Sequence, residues 1–212
     1  MPRVRRFLQD GLVYHVLNRG NRRAQIFHEH ADYHAFLTTL VDAMAKVPMR
    51  VLAFCLMPNH WHLVLWPPDG ASLSAYMEWM MNAHVRRYHA RYGTWGTGHL
   101  YQGRFKSFPI ETGDHLLTVY RYVEANAWKA KLVSRAEEWP WSSLALDCLD
   151  DGRQLVVPGP IERPVNWSCI VNNQLSPEDL YKVRLSLNRQ APFGSSKWAL
   201  QLKEGAVCAP TA

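Results

Sequence analysis

The sequence has few cysteines and no long apolar run. Its 212 residues include four cysteines, which are scattered and form no Cys-x-x-Cys pair. This spacing argues against a zinc ribbon and a disulfide framework, so reduced thiols are expected at Cys55, Cys148, Cys169 and Cys208. No apolar window of about 18 residues is present, and the basic N-terminus lacks the apolar core of a secretory signal. We therefore expect a cytoplasmic protein with no membrane partner.

Acidic residues are missing from one long stretch of the chain. Residues 80–106 contain Arg86, Arg87, Arg91, Arg104 and Lys106 but no Asp or Glu, and the formal net charge of the chain is +6. Aromatic residues lie between these cations, as expected for a surface on which the bases of a polyanion stack. A solvated basic face explains the charge equally well. Nucleic acid is therefore a candidate partner that needs further support.

Hydrophobic periodicity and turn signals predict the secondary structure. A glycine-rich loop and a strand or hairpin are expected after the second predicted helix. The strands are predicted over residues 12–19, 49–57 and 60–66, and the helices over 31–47, 72–92 and 114–133. The order β-α-β-β-α-β is the split βαβ, or ferredoxin-like, arrangement of an α+β protein. It predicts an antiparallel sheet with helices on one face and an open second face.

The pattern weakens after Trp139-Pro140-Trp141. We expect one domain over residues 1–145 and a small C-terminal extension over residues 146–212. The extension begins as a proline- and glycine-rich connection and contains a predicted short helix over 176–190, with a serine N-cap and a proline at the first helical position. No internal repeat or low-complexity tract is present.

The segment MPNHWHLVLWP contains two histidines separated by one tryptophan. Alternate side chains of a β-strand share a face, so His60 and His62 are expected on one side of the sheet and Trp61 on the other. Two imidazoles on one face supply two ligands for a divalent cation. A lone His-x-His pair is weak support, because a structural role remains open and a catalytic metal site needs a third protein ligand.

The last predicted helix of the domain offers that third group. Tyr122 and Asn126 are four residues apart and therefore share a helix face. If that face met the histidine pair, His60, His62 and Asn126 could hold a hard divalent cation that polarises a phosphate oxygen, and Tyr122 could attack the phosphorus. Without the histidines, the two residues would be ordinary members of an amphipathic helix.

Several segments resemble a known family. PNHWHLVLWP is similar to the His-hydrophobic-His motif of the single-tyrosine HUH transposases, and RYVEANAWKAKLV is similar to their catalytic segment. YHVLNRGNRRAQIF, GHLYQGRFKSF and WPWSSL resemble the branch called REP-associated tyrosine transposases, which have the IS200-like domain. The five segments span about residues 12–144 in the family's order. Ala127 departs from the family's proline after the asparagine, and the family's arginine-rich C-terminal tail is not matched.

The resemblance implies an enzyme, a DNA endonuclease and strand transferase that acts on single-stranded DNA at palindromic repeat hairpins. It implies that Tyr122 is the nucleophile of a 5′-phosphotyrosine intermediate and that His60, His62 and Asn126 bind Mg²⁺ or Mn²⁺. Such an enzyme is expected in the cytoplasm with the nucleoid, as a monomer or homodimer. DNA contacts are expected at the arginine-rich turn, after the glycine-rich loop and on the last helix, from Arg19, Arg22, Arg23, Arg104, Lys106 and Lys129.

Two other functions stay open at this stage. One is a metal-dependent phosphodiesterase that uses water as the nucleophile, and the other is a domesticated protein that binds or regulates repeat DNA without cutting it. The remaining histidines give little reason for a second site. His28, His30 and His34 lie in a predicted exposed helix entry, and His115 is expected at the surface.

Overall fold

The computed structural model describes residues 8–146 and 149–205. Cys148, Cys208 and the arginines of the first seven residues lie outside these ranges. Within them, Cys55 is buried and Cys169 is exposed, and both are free thiols. The strands are β1 (Val13–Arg19), β2 (Arg50–Met57), β3 (His60–Trp66) and β4 (Lys106–Ile110). The helices are α1 (His30–Met44), α2 (Gly70–Tyr92), α3 (Asp114–Glu124), α4 (Asn126–Lys129), α5 (Trp167–Val171), α6 (Pro177–Arg189) and α7 (Ser196–Lys203).

The four strands form one antiparallel sheet in the order β2-β3-β1-β4. Strands β2 and β3 are joined at Pro58-Asn59, and β1 lies between β3 and β4. The α+β class and the β-α-β-β-α-β order are therefore confirmed. Both crossovers, through α1 and through α2, place their helix on the same face of the sheet, as the common handedness of such connections requires.

The sheet has an apolar core on each face. On one face, α1 and α2 pack against alternate strand residues that include Val16, Phe54 and Trp61. On the other face, Val13, Val64 and Phe108 are buried beneath α3 to α6. The expectation of an open second face is therefore wrong. The side chains of β1, β3 and β4 on this face are too apolar to be left in water, and helices from later in the chain cover them.

The predicted helix over residues 114–133 is broken in the structure. Helix α3 ends at Glu124 and α4 begins at Asn126, because Ala125 has φ −80° and ψ 0°, outside the helical region. The break falls between Tyr122 and Asn126. In the extension, α6 confirms the helix expected over 176–190, whereas α5 and α7 were not predicted. In the part of the chain that the structure describes, no helix is both long and apolar enough to span a membrane.

A buried carboxylate connects α3 to the C-terminal extension. The side chain of Glu124 is 1% exposed. Its Oε1 accepts hydrogen bonds from Ser143 Oγ at 2.6 Å and from Arg163 at 3.2 Å, and its Oε2 accepts one from Trp167 Nε1 at 2.6 Å. The Arg163 guanidinium also stacks over the Tyr120 ring. These contacts fix the extension against the helix that carries Tyr122.

Candidate active site

Strand β3 separates its histidines from its tryptophan as the alternation predicts. Trp61 is fully buried beneath α1 and α2, and its Nε1 donates a 2.9 Å hydrogen bond to the Tyr101 hydroxyl. His60 and His62 lie on the opposite face, with ring centroids 5.1 Å apart. Their partners on β1 are Arg19 and Leu17, so both imidazoles lie in the centre of the sheet near its end.

Each histidine has its Nδ1 engaged by a neighbour. His60 Nδ1 lies 2.6 Å from Asn59 Oδ1, and His62 Nδ1 lies 2.9 Å from His15 Nε2. His15 is on β1, and its ring stacks on that of His62 with centroids 5.0 Å apart. A hydrogen bond at Nδ1 fixes the orientation of an imidazole and leaves its Nε2 for another ligand. In both histidines, Nε2 is therefore the nitrogen that can serve as a metal ligand.

The imidazoles of this site are held in the neutral form. Burial lowers the pKa of His15 to about 3, and burial together with the nearby Arg19 lowers the pKa of His60 to about 4. Burial, reinforced by His15, His60 and Arg19, places the pKa of His62 well below its ordinary value. Only a neutral imidazole can coordinate a metal ion, so these shifts suit metal binding at physiological pH.

Tyr122 of α3 and Asn126 of α4 lie next to the histidines, in the layer of helices that covers this face of the sheet. The Tyr122 ring packs edge-on against His62 with ring centroids 5.7 Å apart, and against His15 at 6.1 Å. Asn126 Nδ2 donates to the Tyr122 carbonyl at 3.1 Å. The Asn126 side chain also hydrogen-bonds to His60. The structure thus brings Tyr122, His60, His62 and Asn126 together despite the break at Ala125.

Positive charges surround the Tyr122 hydroxyl. Burial raises the pKa of Tyr122, and the charges of Arg184 and Arg19, together with a hydrogen bond from Arg184, oppose that rise. Arg184 belongs to α6, in the C-terminal extension. The ammonium group of Lys129 lies 5.6 Å from the centroid of the Tyr122 ring. A developing negative charge on the phenol oxygen would be stabilised by these cations.

A basic cavity of about 430 Å³ opens over the histidine pair. Among the predicted DNA-binding residues, Arg19, Arg104 and Lys106 line it together with His60 and His62. Leu187 and Asn188 of α6 form another part of its wall. Arg22 and Arg23 do not line this cavity; they are exposed in a short turn after β1, both with positive φ.

The donor set fits a hard divalent cation. Within residues 8–146 and 149–205, no group of three or more His, Cys, Asp or Glu side chains is arranged to hold a metal ion. The predicted set differs in kind, since it consists of the Nε2 atoms of His60 and His62 and the amide oxygen of Asn126. Imidazole nitrogens suit first-row transition metals and an amide oxygen suits harder cations, so this mixed set is compatible with a divalent cation.

The other histidines have structural partners. His28 Nε2 lies 3.0 Å from the Tyr88 hydroxyl, and His30 and His34 pack edge-on against Trp141. His115 Nδ1 lies 3.3 Å from the Glu111 carboxylate, and its ring packs edge-on against Phe193.

Sequence reasoning missed three residues that shape the site. Asn59 is adjacent to His60 in the sequence, and the Asx residue of a tight turn could have suggested the contact. His15 lies forty-seven positions from His62, and only the register of β1 against β3 brings the two together. Arg184 is in the extension, and no sequence signal connects it with Tyr122.

Comparisons with known proteins agree with this architecture. The family model described as "Transposase IS200 like" matches residues 9–126, which is more than half of the chain. A solved structure of a REP-associated tyrosine transposase bound to a REP hairpin matches with a TM-score of 0.59 and 17% identity. The match covers 83% of this chain and 99% of that chain, and it shows a common fold.

Two further comparisons add little. A candidate transposase from Deinococcus radiodurans R1 matches with a TM-score of 0.40 and 20% identity, over 58% of this chain and 96% of that one. No curated protein matches the chain. The match of the family model over residues 9–126, from β1 to Asn126, includes the histidine pair and the tyrosine helix, and the chain therefore belongs to the IS200-like transposase family.

Proposed function

We propose that this chain cleaves and rejoins single-stranded DNA at palindromic repeat hairpins through a covalent 5′-phosphotyrosine intermediate. The observation that carries the proposal is the packing of Tyr122 of α3 against His62, with ring centroids 5.7 Å apart, while Asn126 of the following helix α4 reaches His60. A nucleophile and three potential metal ligands thus meet beside one basic cavity.

The reaction is a transesterification in which the phosphate bond energy is conserved. The Tyr122 oxygen attacks the phosphorus and gives up its proton, the bond from phosphorus to the 3′ oxygen breaks, and that oxygen takes up a proton and leaves as a 3′-hydroxyl. Attack of a DNA 3′-hydroxyl on the phosphotyrosine reverses the step, so no ATP is needed. Mg²⁺ or Mn²⁺ bound by His60, His62 and Asn126 would supply a Lewis acid that polarises a nonbridging phosphate oxygen.

The chain's own residues hold the ligand set in place. Asn59 Oδ1 accepts the proton of His60 Nδ1, and His15 Nε2 would accept that of His62 Nδ1 when His62 binds a metal ion through Nε2. We assign His15 and Asn59 a positioning role, because partners of this kind orient metal-bound histidines and fix their tautomers. Tyr122 lies beside the histidines of its own chain, which favours a site made within one subunit of a monomer or homodimer.

Positive side chains around the site are proposed to bind the DNA backbone. Arg19, Arg104 and Lys106 line the cavity above the histidines and would contact phosphates of the strand that enters it. Lys129, which lies over the Tyr122 ring, would contact another phosphate. The exposed Arg22 and Arg23 would contact flanking DNA. A REP hairpin is the ligand of the structural relative, which supports a hairpin as the substrate here.

The experiment that tests the proposal is covalent capture on a denaturing gel. A DNA ligand is first selected from a pool of hairpins with randomised stems and single-stranded flanks, and is then incubated with the protein and Mn²⁺. A covalent protein–DNA band is expected with the wild-type chain and is expected to vanish in Tyr122→Phe. Tyr181→Phe is the matched control, since Tyr181 is an exposed tyrosine of α6.

The other outcomes identify the two alternatives. Equal cleavage by Tyr122→Phe would show that water is the nucleophile and that the protein is a metal-dependent phosphodiesterase. Hairpin binding without cleavage, with the same affinity in His60→Ala and Tyr122→Phe, would indicate a domesticated DNA-binding protein. Failure of the selection to return any hairpin would remove hairpin DNA as the substrate.

A further inference from the structure

A second cavity of about 370 Å³ has two neighbours of Tyr122, Lys129 and Arg184, in its wall and none of the histidines. It is formed where the end of α4 meets the segment before α6 and α6 itself. Lys129, Lys131 and Arg184 line it, together with Trp128, Gln174, Leu175 and Leu180. None of these lining residues is acidic. The family match ends at residue 126, so every group in this wall lies beyond the matched region.

Lys129 has an unusual environment in this cavity. Its Nζ is buried and has no hydrogen-bond partner among the described residues. Desolvation and the neighbouring charges of Arg121 and Arg184 lower the pKa of Lys129 to about 8. A desolvated ammonium beside two guanidinium groups raises the free energy of the folded chain unless an anion is bound. The arrangement is unfavourable for stability alone and favourable for binding an anion.

Arg184 connects this cavity with the Tyr122 hydroxyl. Its side chain lines the cavity and also hydrogen-bonds to Tyr122. A guanidinium has five N–H donors in a planar fork, so it can contact the tyrosine and a phosphate oxygen at once. An anion in the cavity and the Tyr122 hydroxyl could therefore both bind to the Arg184 guanidinium.

We propose that Lys129, Lys131 and Arg184 form a binding site for the DNA backbone phosphate adjacent to the one that is cleaved. This rests on the proposed function, because the scissile phosphate must lie between Tyr122 and the histidines. The DNA strand would then pass over Tyr122, with the scissile phosphate at the histidine pair and the adjacent phosphate in the second cavity. The C-terminal extension thereby supplies a DNA contact, Arg184, to the site.

The test measures binding in EDTA, so that it does not depend on cleavage. The probe is the selected hairpin ligand, made in versions that each carry one neutral methylphosphonate in place of a single phosphate. The variants are Lys129→Met and Arg184→Gln. Lys182→Met is the matched control, because Lys182 is on the same helix as Arg184 but is paired with Glu178 at the surface.

Each of the two variants is expected to bind the unmodified hairpin about tenfold more weakly than wild type, as for a lost charge-assisted contact. The slope of log affinity against log salt should fall by about 0.7 for each lost contact with a single strand. At one position, a methylphosphonate is expected to weaken hairpin binding by wild type but to cause no further loss of binding by Lys129→Met. Lys129→Met should also melt at or above the wild-type temperature, because a desolvated charge is removed.

The outcomes separate the two proposals. If wild type binds no hairpin, the proposed function fails. The phosphate site fails, while the proposed function stands, if wild type binds the hairpin and both variants bind it as tightly as wild type does. It fails likewise if each methylphosphonate position weakens the variants as much as it weakens wild type. A fall in melting temperature of Lys129→Met would show that its ammonium is a structural group and would also overturn the site.

Discussion

The two faces of the sheet are built differently. Beneath α1 and α2, most buried polar groups are paired, and Gln9 Oε1 and Ser107 Oγ are the exceptions among the described residues. Trp61 donates to Tyr101, His84 Nδ1 lies 2.6 Å from the same hydroxyl, and the Tyr76 hydroxyl donates to the Leu40 carbonyl at 3.1 Å. Beneath α3 to α6, several buried polar atoms have no partner among the described residues. They belong to His15, Tyr120, Arg121, Lys129 and Arg163.

The unequal number of unpartnered buried polar atoms suggests different roles for the two faces. Buried polar groups without partners are few in folded proteins, because each one loses its hydration without compensation. Their concentration on the face that carries Tyr122 and the histidines indicates that this face is shaped for a ligand rather than for packing alone. The α1–α2 face holds the fold together, and the α3–α6 face carries the residues of the proposed active site.

Two adjacent residues of β3, Trp61 and His62, give the strongest test of the difference between the two faces. Trp61→Ala should lower the free energy of unfolding by about 3–5 kcal/mol, because it leaves a cavity in the α1–α2 core. His62→Ala should change stability much less but should reduce covalent capture of DNA by about 10³-fold or more, through loss of a metal ligand. Urea unfolding and gel quantification measure the two effects. A His62→Ala variant as unstable as Trp61→Ala would contradict the division of roles.

A second variant tests the connection of the reactive face to the extension. Glu124→Gln should destabilise the chain by about 2–3 kcal/mol, since it leaves Arg163 without its charged partner in a mostly buried site. The partial exposure of Arg163, at 25%, keeps the expected loss below that of a fully buried pair. Urea unfolding gives the value. Glu178→Gln, in an exposed pair with Lys182, is the control and should leave the unfolding midpoint unchanged.

His15 provides a test within the reactive face. His15→Phe removes the hydrogen-bond partner of His62 Nδ1 and should weaken Mn²⁺ binding about 10–100-fold. His15→Gln places an amide oxygen near the former Nε2 and should recover most of that affinity. Calorimetric titration of Mn²⁺ into the hairpin-bound Tyr122→Phe background measures binding without turnover. Equal affinities of the Phe and Gln variants would argue that His15 only fills space.

The smallest effect concerns pH on the α1–α2 face. Burial lowers the pKa of His84 from 6.5 to about 3. The neutral form is thus favoured by folding, and its contribution to stability is complete above pH 6.5 and is lost as the pH falls toward 3. As the pH falls through this window, the free energy of unfolding of His84→Gln should decrease less steeply than that of wild type, by up to about 1.4 kcal/mol per pH unit. Urea unfolding at pH 7 and pH 5 tests this, with the exposed His99→Gln as control.

Local periodicity was sufficient to predict much of this structure. Strand alternation placed His60 and His62 opposite Trp61, and helical spacing placed Tyr122 with Asn126. The metal-binding and nucleophilic roles of these residues stay predictions. The pairing of His15 with His62 could not be predicted, because it depends on strand register over a long sequence separation. The covered second face was missed for a similar reason, since the helices that cover it come after the recognised pattern.

The position of Glu124 limits where this chain could be shortened. The carboxylate lies between Tyr122 and Asn126 in the sequence, and two of its three partners, Arg163 and Trp167, come from beyond residue 146. A fragment that ends at residue 145, the boundary predicted from the sequence, would keep the tyrosine and the histidines. It would also leave Glu124 without the guanidinium and the indole that pair with it, and would uncover the apolar side chains of α3 that the extension buries. A functional minimal fragment must therefore extend past Trp167 or replace Glu124 with an apolar residue.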